Sequence, residues 1–340
     1  MSIETSTSPR IDARPHTFRM LVCLDRSRSS EVCLPYAISI ARTFGSDITL
    51  VHVMQPLNGH RGPHATDALG WEISRQEGRA YLERLGQETT RELGRPVDIR
   101  LEQGHPAERI VGLARELGAD LTVLGSHGEG GVTAWNLGTT VQQVLAMTRR
   151  SVFIAHSSPV APSIVIPKRI LVPLDGSLRT ESVLPIAARI ARAYGAEILL
   201  VHVVQSPIAS SVLRAGAELE LATDLAAQLE ASARRYLQSV RDRLAHDAPA
   251  VRTLVVRHPN ERQSLLEVAQ QEHTDLVVVS AHGVACDPAR SFGSVTAHLL
   301  THSQVPLLVL QDLPYLVERL NGVADQLAPP LRASYPPEAV

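Results

Sequence analysis

The chain has 340 residues, 44% hydrophobic and only 4% aromatic, with 33 basic against 35 acidic side chains and a net charge of −2. The length suits two domains of roughly 150 residues, and the aliphatic bias suits parallel strands buried under helices. The balanced charge gives a nucleic-acid backbone nothing to attract, and no apolar run reaches the ~20 residues of a membrane span. The expectation is a soluble, cytoplasmic protein with neither a membrane nor a nucleic-acid partner.

Residues 1–17 are rich in Ser, Thr and Pro and lack the apolar centre of a signal peptide; they read as a disordered arm. The first domain is expected over 18–156. It opens with an apolar strand (18–24) that ends at Asp25, followed by a helical stripe of Cys33, Leu34, Tyr36, Ala37, Ile40, Ala41 and Phe44, stopped by Gly45. Pro35 must lie near the first turn of that helix to be tolerated. A strand at 47–53, a long polar helix at 67–94, a strand at 97–102, a helix at 106–117 and a strand at 120–124 come next. A glycine loop, a helix and a strand at 151–155 complete the copy.

Everything then repeats. Arg19-Met20-Leu21-Val22-Cys23-Leu24-Asp25-Arg26-Ser27 returns 150 residues on as Arg169-Ile170-Leu171-Val172-Pro173-Leu174-Asp175-Gly176-Ser177. Ile48-Thr49-Leu50-Val51-His52-Val53 returns as Ile198-Leu199-Leu200-Val201-His202-Val203, and about half of residues 19–53 recur identically. Such density marks a duplicated domain. Residues 157–167 read as a Pro-rich linker, 168–311 as the second domain and 312–340 as a tail with a weakly helical stretch (315–327). Each copy is β-α-β-α-β-α-β-α-β, the pattern of a doubly wound parallel sheet.

The chemistry sits in the glycine loops. The first reads Gly125-Ser126-His127-Gly128, nine residues, then Gly138-Thr139-Thr140; the second reads Ser280-Ala281-His282-Gly283, nine residues, then Gly293-Ser294-Val295. Glycine lets backbone approach a ligand, and Gly138 and Gly293 open helices whose unpaired amides and positive dipole end favour an anion. Thr139 and Ser294 supply hydroxyls that can cap the helix or bond a phosphate. Neither a Walker loop nor a Gly-x-Gly-x-x-Gly fingerprint is present. With strand order 3-2-1-4-5, strands 1 and 4 flank the switch point, so Asp25 faces Gly125 and Gly128, and Asp175 faces Ser280 and Gly283. These carboxylates suit ribose, a base edge or a bridging divalent ion; the alternative is a strand-end cap bonded to backbone amides.

The spacing Gly-x2-Gly-x9-Gly-Ser/Thr, after a Leu-Val-x-Leu-Asp-x-Ser strand and a Leu-Val-His-Val strand, resembles the universal stress protein family in its tandem form, over 18–156 and 168–311. The resemblance implies two flavodoxin-like α/β domains related by a pseudo-twofold axis, their fifth strands paired so that one chain imitates the family's homodimer. It also implies ATP, with Mg or Mn as candidate companion. The implied contacts are Asp25, Val53 (backbone to adenine), Gly125, His127, Gly128, Gly138, Thr139 and Thr140 in the first copy. In the second they are Asp175, Val203, His282, Gly283, Gly293, Ser294 and Val295. Ser280 departs from the family's first glycine, and its Cβ is expected to crowd the phosphates or to demand another backbone angle.

Three functional classes stand open: a stress-response nucleotide-binding and signalling module, a slow ATPase or nucleotide hydrolase, and a ligand-free scaffold. Further dimerisation and unknown protein partners also stay open. His52 and His202 read as half-buried structural histidines, while His105 and His258 read as capping or surface groups. Cys23 and Cys33 read as core hydrophobes and Cys286 as an unremarkable loop thiol.

Overall fold

A computed structural model describes residues 18–55, 68–127, 137–156, 167–205, 216–284 and 290–311. The arm at 1–17, the tail at 312–340, Gly128 and Cys286 lie outside the described residues.

In the first half the elements are β1 (Arg19–Leu24), α1 (Arg28–Glu31), α2 (Cys33–Phe44), β2 (Asp47–Met54), α3 (Ala68–Leu93), β3 (Asp98–Gln103), α4 (Pro106–Glu116), β4 (Leu121–Gly125), α5 (Thr139–Met147) and β5 (Ser151–Ala155). The second half repeats them as β6 (Arg169–Pro173), α6 (Leu178–Glu181), α7 (Leu184–Tyr194), β7 (Glu197–Gln205), α8 (Gly216–Leu244), β8 (Ala250–His258), α9 (Glu261–Gln271), β9 (Leu276–Ser280), α10 (Ser294–His302) and β10 (Leu307–Leu310).

The expected stripe forms α2, and Gly45 and Gly195 end α2 and α7 in the left-handed region (φ 66° and 67°), each donating its amide to an alanine carbonyl, Ala41 or Ala191. Pro35 and Pro185 fall in the first turns, where no intrahelical amide is lost. The sequence pattern did not resolve α1 and α6. These single turns form because Ser27 and Ser177 accept from the amides of Ser30 and Thr180, a local cap that needs no apolar stripe.

The ten strands form one sheet in the order β3-β2-β1-β4-β5-β10-β9-β6-β7-β8. Each half is parallel with the expected 3-2-1-4-5 order, and the halves join through antiparallel β5 and β10. The pairs are Val152↔Val309, Phe153↔Leu308 and Ile154↔Leu307. In this region equivalent positions lie 155 residues apart, as Gly138 and Gly293 do, so Phe153 faces its own counterpart and the pseudo-twofold axis passes between them. Pairing here removes two exposed edges.

One apolar cluster lies under α2, α3, α7 and α8, and another under α4, α5, α9 and α10; both run unbroken across the seam. On the first face, the Tyr194 hydroxyl donates to the Ser39 carbonyl (2.8 Å), and the Arg189 guanidinium lies 5.0 Å from the centre of the Phe44 ring. Cys23 and Cys33 are buried in these cores, as expected of small hydrophobes. Among the described residues no helix is long and apolar enough to cross a membrane.

Candidate functional site

The switch point of each half lies where β1 and β4, or β6 and β9, end side by side. Asp25 follows β1 and closes a tight turn: its Oδ1 accepts from the Ser27 amide (3.0 Å) and the Ser27 hydroxyl (2.6 Å). The next residue, Arg26, has φ 71°, where the second copy has Gly176 at φ 89°. The first copy therefore holds a side chain in a conformation that favours glycine, a strain of about 1 kcal/mol.

Asp175 accepts from three donors. Its Oδ1 accepts from the Ser177 amide (2.9 Å) and the Thr180 hydroxyl (2.8 Å), while Oδ2 accepts from the Val284 amide (2.8 Å). The last bond crosses the crevice to the glycine loop. Burial pushes this carboxyl up, but the bonds from Ser177, Val284 and Thr180 outweigh it and hold the group below the usual carboxylate range. A Cβ on Gly283 would press on Asp175 Oδ2, so a side chain there would shift the carboxylate from its bond to the Val284 amide. The strand-end cap is thus realised at Asp175, and a ligand reaching Oδ2 competes with an amide already seated.

Gly125 and Ser280 each lie against neighbouring backbone. A Cβ at Gly125 would meet backbone of the α1 region, the Ser29 carbonyl oxygen at 2.9 Å and Ser30 Cα at 3.1 Å. The glycine makes room for protein. In the second half Ser280 is buried at 4% exposure and its hydroxyl donates to the His282 carbonyl (2.8 Å). Its hydroxyl is therefore engaged by its own loop.

Both loops then enter helices in one manner. The Gly138 amide donates to the Ser126 carbonyl (2.9 Å) and the Gly293 amide to the Ala281 carbonyl (2.8 Å), folding each loop back on itself. These two amides are spent internally, and the first-turn amides are those that follow. Gly138 and Gly293 are the N-cap residues of α5 and α10, and no side chain caps either helix. Thr139 and Ser294, the first helical residues, are exposed and do not take up the capping role open to them. Thr140 and Val295 complete the first turns. A helix start without a side-chain cap presents donors to whatever anion approaches.

Val53 lies one residue beyond the last β1–β2 pair, Leu24↔His52, while still paired with Glu102 on β3. Val203 lies two residues beyond Pro173↔Val201 and pairs with Val256. Both stand at the strand ends beside the crevice. His52 and His202 are structural, as expected: their Nδ1 atoms lie 2.9 and 2.8 Å from the Leu24 and Leu174 carbonyls, and their rings meet Tyr81 and Tyr236 edge-on. His105 is exposed at the start of α4 and makes no side-chain cap bond; His258 Nδ1 lies 2.7 Å from the Asn260 carbonyl at the start of α9.

The universal stress protein family model matches residues 17–156 and again 167–311. The chain belongs to the universal stress protein family. The chain is also similar to two members of that family over part of its length. A universal stress protein of Mycolicibacterium smegmatis is 34% identical over 136 residues, covering 39% of this chain and 44% of that one. One of Mycobacterium tuberculosis is 29% identical over 218 residues, covering 61% and 66%. The chain thus spans less than two thirds of the length of either relative. In fold it is similar to the crystal structure of a universal stress protein from Archaeoglobus fulgidus (17% identity, TM-score 0.61, covering 86% of this chain and 98% of that one).

Two histidines distinguish the first site of this universal stress protein. His127, inside the glycine loop, has Nδ1 3.1 Å from the Ser126 hydroxyl; His156 follows β5. The Nε2 atoms of both are buried without a hydrogen-bond partner among the described residues. Burial, and then the neighbouring His127, push the His156 pKa down to about 4. In the second half His282 Nε2 lies 3.1 Å from the Arg290 carbonyl, and Gln311 replaces His156.

A histidine neutral in the fold but protonated in the unfolded chain costs stability on acidification. The loss sets in as pH falls below the unfolded value near 6.5 and is complete below the folded value near 4. His156→Gln should remove it. In urea unfolding at pH 7 and 4.5, wild type should lose about 2–3 kcal/mol more than the variant. Equal losses would show that His156 is not neutral in the fold.

The sequence reading missed His156, Val284, Ser291 and Gln311. Val284 acts through its amide, which leaves no side-chain signature. The other three stand where the copies diverge or meet, and a search for repetition passes over them.

Proposed function

We propose that this tandem universal stress protein binds an adenine nucleotide, ATP with Mg or Mn, in the crevices at its two glycine loops, as a stress-response nucleotide-binding module. The observation that carries the reading is the pair of helix starts at Gly138 and Gly293, both glycine-capped, both free of a side-chain cap, and both at a switch point. In this reading the first-turn amides of α5 and α10 hold phosphate oxygens, with the Thr139 and Ser294 hydroxyls beside them. Val53 and Val203 offer backbone to the base. Among the described residues no group of three His, Cys, Asp or Glu forms a metal cage, so a divalent ion would be held chiefly by the phosphates. Asp175 shapes the second loop, and its engaged oxygens favour the binding module over a hydrolase that would need it as a general base.

The test exploits a contrast of sign. Thr139→Asp and Ser294→Asp each place a negative charge at a helix N-terminus, which favours the helix by about 0.3–1 kcal/mol yet repels phosphate. The ligand-free variants should melt no lower than wild type. ATP at ~100 times its Kd should stabilise wild type by about 2.7 kcal/mol for each occupied site, and the double variant hardly at all. An equal ATP response in wild type and double variant would overturn the placement.

A further inference from the structure

The second glycine loop is anchored on the first half of the chain. The Ser291 hydroxyl donates to the Ala146 carbonyl (3.1 Å), in the last turn of α5. The Ser291 carbonyl accepts from the Gln311 side-chain amide (3.1 Å). The Gln311 backbone is held in turn by Ser151 at the start of β5, its amide donating to the Ser151 hydroxyl at 3.0 Å. Phe292, next to Ser291, is buried in the core, and Gly293 opens α10.

α5 therefore has one end in each site. Its N-terminus starts at Gly138, in the first glycine loop, and its last turn is capped by the second glycine loop, from the other half of the chain. The last four carbonyls of a helix lack intrahelical partners, and Ser291 supplies one of them with a donor. α5 is only nine residues long, about 13 Å, so a cap at one end bears on the stability of every turn.

We infer that Ser291 acts as a cap in trans for α5, and that through α5 the state of the second glycine loop sets the order of the first site's helix start. This inference rests on the proposed nucleotide reading only for its consequence: a ligand that orders the second loop strengthens the cap and raises affinity at the first site, reciprocally. The bistable element is α5 itself, capped or frayed. With one hydrogen bond at stake, the coupling is about five-fold.

The structural half is tested without ligand. In the full-length chain, amide hydrogen exchange over 139–147 should run about five-fold faster in Ser291→Ala than in wild type, while exchange in α2 and α7 stays unchanged. Ser291→Thr keeps the hydroxyl and should restore slow exchange. Unchanged exchange over 139–147 in Ser291→Ala overturns the inference, and so does a global rise that includes α2 and α7. The consequence is tested by calorimetric titration of the same proteins with Mg-ATP. Two sites coupled in wild type and independent in Ser291→Ala support it, and two sites already independent in wild type overturn it. Failure of ATP to bind at all would count against the proposed nucleotide function, while the exchange result still decides the trans cap.

Discussion

Phe153→Ala should lower the unfolding free energy by about 3–5 kcal/mol, the range for truncating a buried aromatic. Phe153 is 1% exposed and sits on the pseudo-twofold axis opposite Leu308. Its ring lies 5.2 Å from that of Tyr36, on α2, in the apolar cluster that runs across the seam. The cavity would open where strands from both halves meet, so neither half can close it by relaxing alone. Urea unfolding followed by far-ultraviolet circular dichroism would read the change as a lower midpoint. A loss under 1 kcal/mol would mean the seam is loosely packed.

Asp175→Ala should cost about 2 kcal/mol. Three donors lose their acceptor together: the Ser177 amide, the Thr180 hydroxyl and the Val284 amide. The figure is held low because the crevice admits water to part of the group. The loss has a pH signature. The carboxyl is held below its usual range, so its contribution is present above the unfolded pKa, near 3.9, and disappears as pH falls through the lower folded value. Wild type and Asp175→Ala should therefore differ in stability at pH 7 and draw together as pH falls through that lowered value. Amide exchange at Val284 should accelerate in the variant at pH 7. If the two proteins are equally stable at pH 7, the cross-crevice bond contributes nothing.

These outcomes bear on what a single sequence discloses. The strands and α2 were legible because each rests on a period or on an apolar run, and the duplication supplied every signal twice. The pairing of the fifth strands was implied by the family resemblance, and Val152-Phe153-Ile154 and Leu307-Leu308-Val309 are apolar enough to hide an edge in that way. α1 and α6 were not legible, since a four-residue turn held by a serine cap has no periodicity. The glycines were legible as a pattern but not as individuals. Gly125 clears the backbone near α1, and Gly283 clears Asp175, which leaves the helix starts at Gly138 and Gly293 as the parts proposed to face an anion. The trans cap from Ser291 to Ala146 joins residues 145 apart that share no repeat position. Only the folded seam brings them together.

In the proposed function, two helix N-termini of one chain each bind a phosphate-bearing adenine compound. Native mass spectrometry of the full-length protein, desalted and titrated with Mg-ATP, tests it most directly. The prediction is adducts of one and then two nucleotides, with the second lost in Ser294→Asp and both lost when Thr139→Asp is added. A spectrum with no adduct at millimolar ATP, or with adducts indifferent to both substitutions, would contradict it.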